Sequence, residues 1–161
     1  MSDLESQEPP PEGVFRISFH LHVVFSTKNQ EPIIAEHVRQ GIWDVMGDAA
    51  RERSIRVVCI GGTLDHVHLL LSLPATISVH DVIQLMKKSS AAWVRETYPA
   101  AANFAWQEGD AAFTVSEADV PALAASLNDQ ARFHRHTTFQ QEYIALLKEH
   151  DIAYDPDDLW T

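Results

Sequence analysis

The order of apolar and polar residues predicts strands and helices that alternate along the chain. Residues 14–27 are rich in β-branched and aromatic side chains, which predicts a first strand. From about residue 35 to residue 53, apolar residues recur at helical spacing and predict a first helix. Two further apolar runs, 55–60 and 66–73, lie on either side of a bend at Gly61 and predict a β-hairpin.

The same alternation continues after the hairpin. Ser78 and Asp81 resemble a helix capping box, and the helical pattern that follows extends to about residue 96. Residues 104–106 and 112–115 flank a turn at Gly109-Asp110 and are predicted to form either two short strands or one strand with an extended lead-in. The chain therefore contains a second helix and a last strand region.

A third helix is predicted to begin at a Ser116 cap and to continue without a break through Gln130 and His134. A final helix is expected over residues 139–150. The order β-α-β-β-α-β followed by added helices predicts an α+β, ferredoxin-like fold. In that fold an antiparallel sheet carries helices on one face, and here C-terminal helices are added.

Length and composition indicate one domain. A chain of 161 residues with 45% hydrophobic content suffices for one packed core. Residues 1–13 are acidic and proline-rich and are predicted to be a disordered tail, so the domain spans residues 14–161. Cys59 is the only cysteine, which excludes an intrachain disulfide. No apolar run is long enough for a membrane span, and a cytoplasmic location is expected.

The net charge of −11 disfavours broad attraction to a polyanion. Two local basic clusters remain compatible with phosphate contacts, although ordinary solvated helix faces would look the same. These clusters are Lys87, Lys88 and Arg95, and Arg132, His134, Arg135 and His136.

A pair of histidines marks the first candidate site. His66 and His68 alternate within an apolar strand, and the two-residue period of a strand places both imidazoles on one face. The pair is compatible with a divalent metal site and equally with two hydrogen-bonded histidines at a sheet surface. Asp65, which precedes the pair, is a candidate to orient one ring or to form the turn.

A second candidate set lies on the third predicted helix. Ser126, Gln130 and His134 are spaced four residues apart, so a continuous helix would place them on one face. A glutamine amide oxygen is a suitable ligand for Mg²⁺ or Mn²⁺. The spacing by itself favours a solvated face for Gln130 and a packing role for Ser126.

Several short motifs occur in order along the chain. They are Phe25-Ser-Thr-Lys-Asn29, Asp65-His-Val-His-Leu-Leu70, a Ser-Leu-Pro that ends at Pro74, Phe104-Ala-Trp-Gln-Glu-Gly109, Asp129-Gln130 with His134, Thr138-Phe-Gln140, Tyr154-Asp155 and Leu159-Trp160. Together these motifs resemble the small single-tyrosine HUH transposases of bacterial insertion sequences, which include the REP-associated tyrosine transposases. The resemblance covers nearly the whole chain after residue 14.

The resemblance implies a dimeric ferredoxin-like protein that recognises hairpins in single-stranded DNA and cuts and rejoins strands with a tyrosine. It implies that His66, His68 and Gln130 bind a divalent ion, Mg²⁺ or Mn²⁺, which polarises the scissile phosphate. It also implies DNA contacts, for which the candidates are Lys87, Lys88, Arg132 and Arg135.

The family pattern places the nucleophilic tyrosine four residues before the glutamine, and Ser126 occupies that position here. A serine hydroxyl is much less acidic than a phenol, reaches less far from a helix and needs an adjacent base. We therefore expect a transposase-like DNA-binding protein that is deficient in tyrosine-mediated cleavage. Two alternatives remain: catalysis through Tyr143 or a metal-activated water, and a regulatory or structural module without DNA contact.

Overall fold

The computed structural model describes residues 17–160. Its strands are β1 (His20–Ser26), β2 (Arg56–Gly62), β3 (His66–Ser72) and β4 (Ala111–Val115). They form one antiparallel sheet in the order β2-β3-β1-β4, which confirms the predicted ferredoxin-like α+β fold. Residues 1–13, predicted to be a disordered tail, lie outside the described residues. No helix in the described part is both long and apolar enough to cross a bilayer.

One face of the sheet packs on two long helices, α1 (Glu36–Glu52) and α2 (Val79–Thr97). The cap of α2 is as predicted, because the Ser78 hydroxyl accepts a hydrogen bond from the Asp81 backbone at 3.0 Å. The central strands supply alternate apolar side chains to this core. They are Leu21, Val23, Phe25, Val67, Leu69 and Leu71.

The opposite face of the sheet lies beneath three C-terminal helices, α3 (Val120–Asn128), α4 (Gln130–Phe133) and α5 (Phe139–Glu149). Helix α3 packs on β2 and β3 through Leu127, and α5 packs on β1 and β4 through Phe139, Tyr143 and Leu147. Because side chains alternate along a strand, the residues between the core positions point toward these helices. They include His22, His66 and His68.

The third predicted helix is interrupted, and the prediction of one continuous helix from Ser116 to His134 is wrong. Asp129 has φ −114° and ψ 35°, which ends α3 and separates it from the single turn of α4. Ser116 does not cap α3; its hydroxyl instead donates to the Asp119 carboxylate at 2.6 Å, and the helix begins at Val120. Residues before and after the break therefore face different directions.

A glycine permits α3 to lie directly on the sheet. The predicted bend at Gly61 is instead part of β2, and a Cβ at this position would lie 2.0 Å from the Leu127 carbonyl oxygen. That separation is too short for a Cβ atom. The backbone of α3 can approach β2 this closely because Gly61 carries only a hydrogen in place of a side chain. This contact fixes the height of α3, and hence the start of α4, above the histidine face.

Candidate metal centre

The two histidines of β3 lie side by side in the interior, beneath α4 and α5. His66 and His68 are both fully buried, and their ring centroids are 5.1 Å apart. This arrangement follows from the strand period, as the sequence predicts. Buried imidazoles require polar surroundings, and both nitrogens of each ring lie within 2.9 Å of another polar side-chain atom.

The Nδ1 atom of His66 faces a carboxylate. It lies 2.7 Å from Asp65 Oδ1, and the Thr63 hydroxyl is 3.2 Å from the same nitrogen. Burial opposes ionisation of Asp65, but hydrogen bonds from His66 and Thr63 outweigh it and hold the pKa of this carboxyl below its ordinary value. The ionised carboxylate assigns the proton to Nδ1, so His66 Nε2 presents its lone pair to the centre.

The Nδ1 atom of His68 faces a second imidazole, His22 Nε2, at 2.8 Å. Burial, and next the proximity of His68, lower the pKa of His22 to about 3. Burial also lowers the pKa of His68, against an opposing contribution from Glu142. Both rings are therefore neutral near pH 7, and the neutral imidazole is the form that binds a metal ion.

The predicted glutamine reaches the histidine pair. Gln130 is buried at the first position of α4, and its Oε1 lies 2.9 Å from His66 Nε2. The structure thus brings His66, His68 and Gln130 together although 62 residues separate His68 from Gln130 in sequence. Two different elements, a sheet strand and a short helix, position the three side chains.

Two further residues complete the cluster. His134, directly after α4, places Nε2 3.0 Å from Gln130 Oε1 and 2.7 Å from Glu142 Oε2. Glu142 of α5 places Oε1 2.8 Å from His68 Nε2. The helical spacing in the sequence indicated His134, but Glu142 was missed. The available signal was an acidic residue between Phe139 and Tyr143 on the apolar face of an amphipathic helix.

The buried atoms of this cluster fit a divalent cation. His68 Nε2 and Glu142 Oε2 are buried and make no well-aligned hydrogen bond among the described residues, although His68 Nε2 lies 2.8 Å from Glu142 Oε1 and Glu142 Oε2 lies 2.7 Å from His134 Nε2. Burial opposes ionisation of Glu142, but its contacts with the surrounding histidines outweigh this and hold its pKa below the ordinary value. A cation between an imidazole lone pair and an ionised carboxylate would satisfy both.

Ser126 lies outside this cluster. Its side chain is exposed near the end of α3, whereas Gln130 is buried beyond the helix break, so the predicted common face of the two residues does not exist. Ser126 instead lines an open groove together with Arg132 and Arg135. Two of the predicted DNA contacts are therefore neighbours of the predicted nucleophile position. The groove also contains Ala125, Asp129, Phe133, His136 and Thr137.

The other two predicted DNA contacts lie on α2, across the sheet from the histidines. Lys88 is exposed, but Lys87 is buried and its ammonium is 2.9 Å from both the Gln107 carbonyl and the Asp110 carboxylate. The ammonium has three N–H donors, and it also contacts the backbone carbonyls of Glu108 and Gly109. Its hydrogen bonds therefore stabilise the segment before β4. A DNA contact by Lys87 stays an untested prediction.

Tyr143, the alternative nucleophile, is a packing residue in this structure. It is buried on α5 between Phe139 and Trp160, and burial, followed by the charge of Asp110, raises the pKa of its phenol to about 12. A raised pKa makes the phenolate scarcer at neutral pH, and this weakens the case for Tyr143 as the attacking group.

Comparison with known proteins agrees with this fold. A curated relative, the ISDra2 transposase TnpA of Deinococcus radiodurans, is 28% identical over 86 residues, or 53% of this chain and 60% of the relative. The chain thus spans less than two thirds of that relative. A transposase structure from Deinococcus radiodurans R1 superimposes with a TM-score of 0.61 at 21% identity, over 74% of this chain and 98% of the other.

A second solved structure, a REP-associated tyrosine transposase bound to a REP hairpin, has a TM-score of 0.54 at 12% identity and covers 74% of this chain and 70% of that one. At these identities the two structures show the shared fold. The sequence model of the family described as "Transposase IS200 like" matches residues 16–130, which include β1 to β4, α3 and Gln130. By this match over most of its length, the chain belongs to the IS200-like transposase family.

Proposed function

We propose that this protein binds hairpin single-stranded DNA through a transposase scaffold with a divalent-metal centre, and that it does not cleave strands by the tyrosine route. The observation that carries the proposal is the convergence of His66, His68 and Gln130 in the interior. His66 Nε2 lies 2.9 Å from Gln130 Oε1, and the buried His68 Nε2 makes no well-aligned hydrogen bond among the described residues. In this proposal the three side chains hold Mg²⁺ or Mn²⁺, which supplies charge to polarise a phosphate oxygen.

The DNA-binding part of the proposal is supported by the groove that contains Ser126. Arg132 and Arg135 are exposed there, and arginine pairs well with phosphate oxygens. A related fold is described as bound to a REP hairpin, which favours the same class of ligand here. A homodimer, a contribution of Lys88 and a cytoplasmic location belong to the same proposal.

The proposed deficiency in cleavage follows from the side chain at position 126. A serine hydroxyl needs an adjacent base to attack a phosphate, and the tyrosyl phenol, with an ordinary pKa of about 10, does not have the same requirement. Asp129 and His136 line the same groove as Ser126. The decisive experiment therefore asks whether the wild-type protein forms a covalent adduct with DNA at all.

The first prediction concerns covalent attachment to DNA. Wild-type protein and the Ser126→Tyr variant are incubated with end-labelled hairpin DNA and Mn²⁺, and denaturing gels are used to detect a protein-DNA adduct. We expect an adduct only with Ser126→Tyr, because the introduced phenol supplies both reach and acidity. Ser126→Phe is the matched control, since it adds the ring without the hydroxyl.

An adduct formed by the wild-type protein would overturn the proposed deficiency. In that case Tyr143→Phe would show whether the buried phenol is responsible. If neither the wild type nor any variant binds the hairpin, the DNA-binding proposal itself is wrong.

A further inference from the structure

We propose that His134 and Glu142 are also metal ligands, and that together with His66, His68 and Gln130 they form a six-coordinate site for a transition-metal ion with one position left open. This inference rests on the proposed metal centre and deepens it. It names the class of ion, the complete donor set and the number of external ligands that the ion can accept.

The ring protons of His66 and His134 are held on the side away from the cluster. His66 Nδ1 donates to Asp65, and His134 Nδ1 lies 2.7 Å from the Thr137 carbonyl oxygen, so it donates as well. Neutral rings with protonated Nδ1 atoms present lone pairs at Nε2, and these two Nε2 atoms are only 3.1 Å apart. Gln130 Oε1, an acceptor, lies within 3.0 Å of both nitrogens.

Acceptor atoms packed in this way repel one another unless positive charge enters the space between them. A single proton on His134 Nε2 can point at only one of its three neighbours, namely His66, Gln130 or Glu142. A rotated Gln130 amide would supply a proton to His66, but His68 Nε2 and Glu142 Oε2 would still make close contacts without a well-aligned hydrogen bond. A cation satisfies every one of these atoms at once.

The distances between the proposed ligand atoms also fit a metal ion. His66 Nε2, Gln130 Oε1 and His134 Nε2 form a triangle with sides of 2.9, 3.0 and 3.1 Å. With metal-ligand bonds of about 2.1 Å, adjacent ligands are about 3.0 Å apart in an octahedron and about 3.4 Å apart in a tetrahedron. The three atoms therefore match one face of an octahedron.

Glu142 extends this face toward His68. One carboxylate oxygen lies 2.7 Å from His134 Nε2 and the other lies 2.8 Å from His68 Nε2, so either oxygen is at an adjacent-ligand distance from one histidine. We count Glu142 as a ligand through one oxygen only, which occupies one position. Ligand atoms of His66, His68 and Glu142 all lie within 4.8 Å of one another, a span that includes opposite corners of an octahedron. Five residues thus account for five of six positions.

The chemistry of the donors selects the ion. Three imidazoles with one amide and one carboxylate favour Mn²⁺, Co²⁺ and the neighbouring transition ions, because Mg²⁺ prefers oxygen ligands and retains several waters. One open position holds a single phosphate oxygen or a single water. An ion in this site therefore cannot bind a phosphate and a nucleophilic water together, which argues against the metal-activated-water alternative and favours binding without cleavage.

The test measures Co²⁺ binding to the whole chain after removal of metals, by calorimetry and by the visible absorption of the bound ion. We expect six-coordinate, weakly absorbing Co²⁺ that excess Mg²⁺ does not displace. Glu142→Gln and His134→Gln should each weaken Co²⁺ binding by about 10-fold or more. The matched controls are Glu149→Gln, on the exposed end of α5, and His80→Gln, exposed on α2 across the sheet; both should bind as the wild type does.

The outcomes separate this inference from the proposed function. If His66→Gln abolishes Co²⁺ binding but Glu142→Gln and His134→Gln leave it unchanged, the donor set proposed here is wrong and the smaller site survives. Strong tetrahedral absorption, or displacement by equimolar Mg²⁺, overturns the coordination and the ion class. If the wild type binds no divalent ion, both proposals fail. Thermal unfolding in EDTA verifies that each variant is folded.

Discussion

At the residue scale, the centre is built from side chains whose partners fix their protonation. Asp65 holds one proton of His66, and His22 contacts the ring of His68. Each contact is made by Nδ1, so each Nε2 is left to face the cluster. Removal of such orienting partners typically weakens metal binding as much as some ligand changes do. The network therefore includes residues outside the proposed ligand set.

The buried His22 gives the fold a defined pH dependence. Its pKa falls from the ordinary 6.5 to about 3 on folding, so below pH 6.5 the unfolded chain takes up a proton that the folded chain does not. Stability should therefore fall as the pH drops from 7 to 5, and His22 alone accounts for about 2 kcal/mol of that loss.

Urea unfolding in EDTA at pH 7 and pH 5 measures this effect. The loss of stability between the two pH values should be smaller by about 2 kcal/mol in His22→Gln than in the wild type. His37→Gln, at an exposed histidine on α1, is the control and should retain the wild-type difference. Equal pH dependence in wild type and His22→Gln would contradict a lowered pKa for His22.

At the element scale, the break at Asp129 separates two roles that a continuous helix would have combined. Helix α3 lies on β2 and leaves Ser126 exposed to the groove, whereas α4 turns Gln130 into the interior. Helix α5 then returns across the sheet with a capping box at Thr138 and carries Glu142 to the histidines. The centre thus depends on how three helices are placed on one sheet face.

The placement of α3 is tested at Gly61. In Gly61→Ala the new Cβ would lie 2.0 Å from a backbone oxygen of α3, so the helix must move away from the sheet. We expect a loss of about 1–3 kcal/mol in the free energy of unfolding, together with weaker Co²⁺ binding, because α4 moves with α3.

Gly47→Ala provides the matched control for this substitution. Gly47 lies within α1, and a methyl group added there would have nothing within 4 Å, so alanine should stabilise the protein by about 0.5–1 kcal/mol. Urea unfolding of both variants measures the difference. A neutral Gly61→Ala would show that α3 does not rest on β2 as described.

At the scale of the whole molecule, an acidic protein presents a local basic groove. The net charge is −11, yet Arg132 and Arg135 are exposed beside Ser126. Such a protein should bind DNA at a defined place and weakly elsewhere, since its remaining surface repels phosphates. The predicted contacts on α2 lie on the other side of the sheet and do not extend this groove.

The salt dependence of hairpin binding measures the contribution of the groove. Each of Arg132→Gln and Arg135→Gln should reduce the slope of log affinity against log salt by about 0.7, the value for one phosphate contact to a single strand. Arg51→Gln is the control, because Arg51 is exposed on α1 outside the groove and forms an i,i+3 ion pair with Asp48, as Arg132 does with Asp129. If neither groove variant changes the slope of log affinity against log salt, the groove is not the DNA site.

The sequence predicted most of the fold because its signals are local. Strand periodicity placed His66 and His68 on one face, and the Ser78 cap and apolar spacing located α2. The break at Asp129 was missed because helical spacing continues on both sides of it. Glu142 was missed because a buried acid in an amphipathic helix has no local explanation.

What the sequence determined by itself was the α+β architecture, the side of the sheet that carries the histidine pair, and the family to which the motifs point. What only the tertiary structure decided was which distant side chains meet that pair. His134 reaches it because α4 follows α3, which rests on β2 at the contact between Gly61 and Leu127, and Glu142 reaches it because α5 packs on β1 and β4. Such convergence depends on packing between elements far apart in sequence, and local propensities do not encode it.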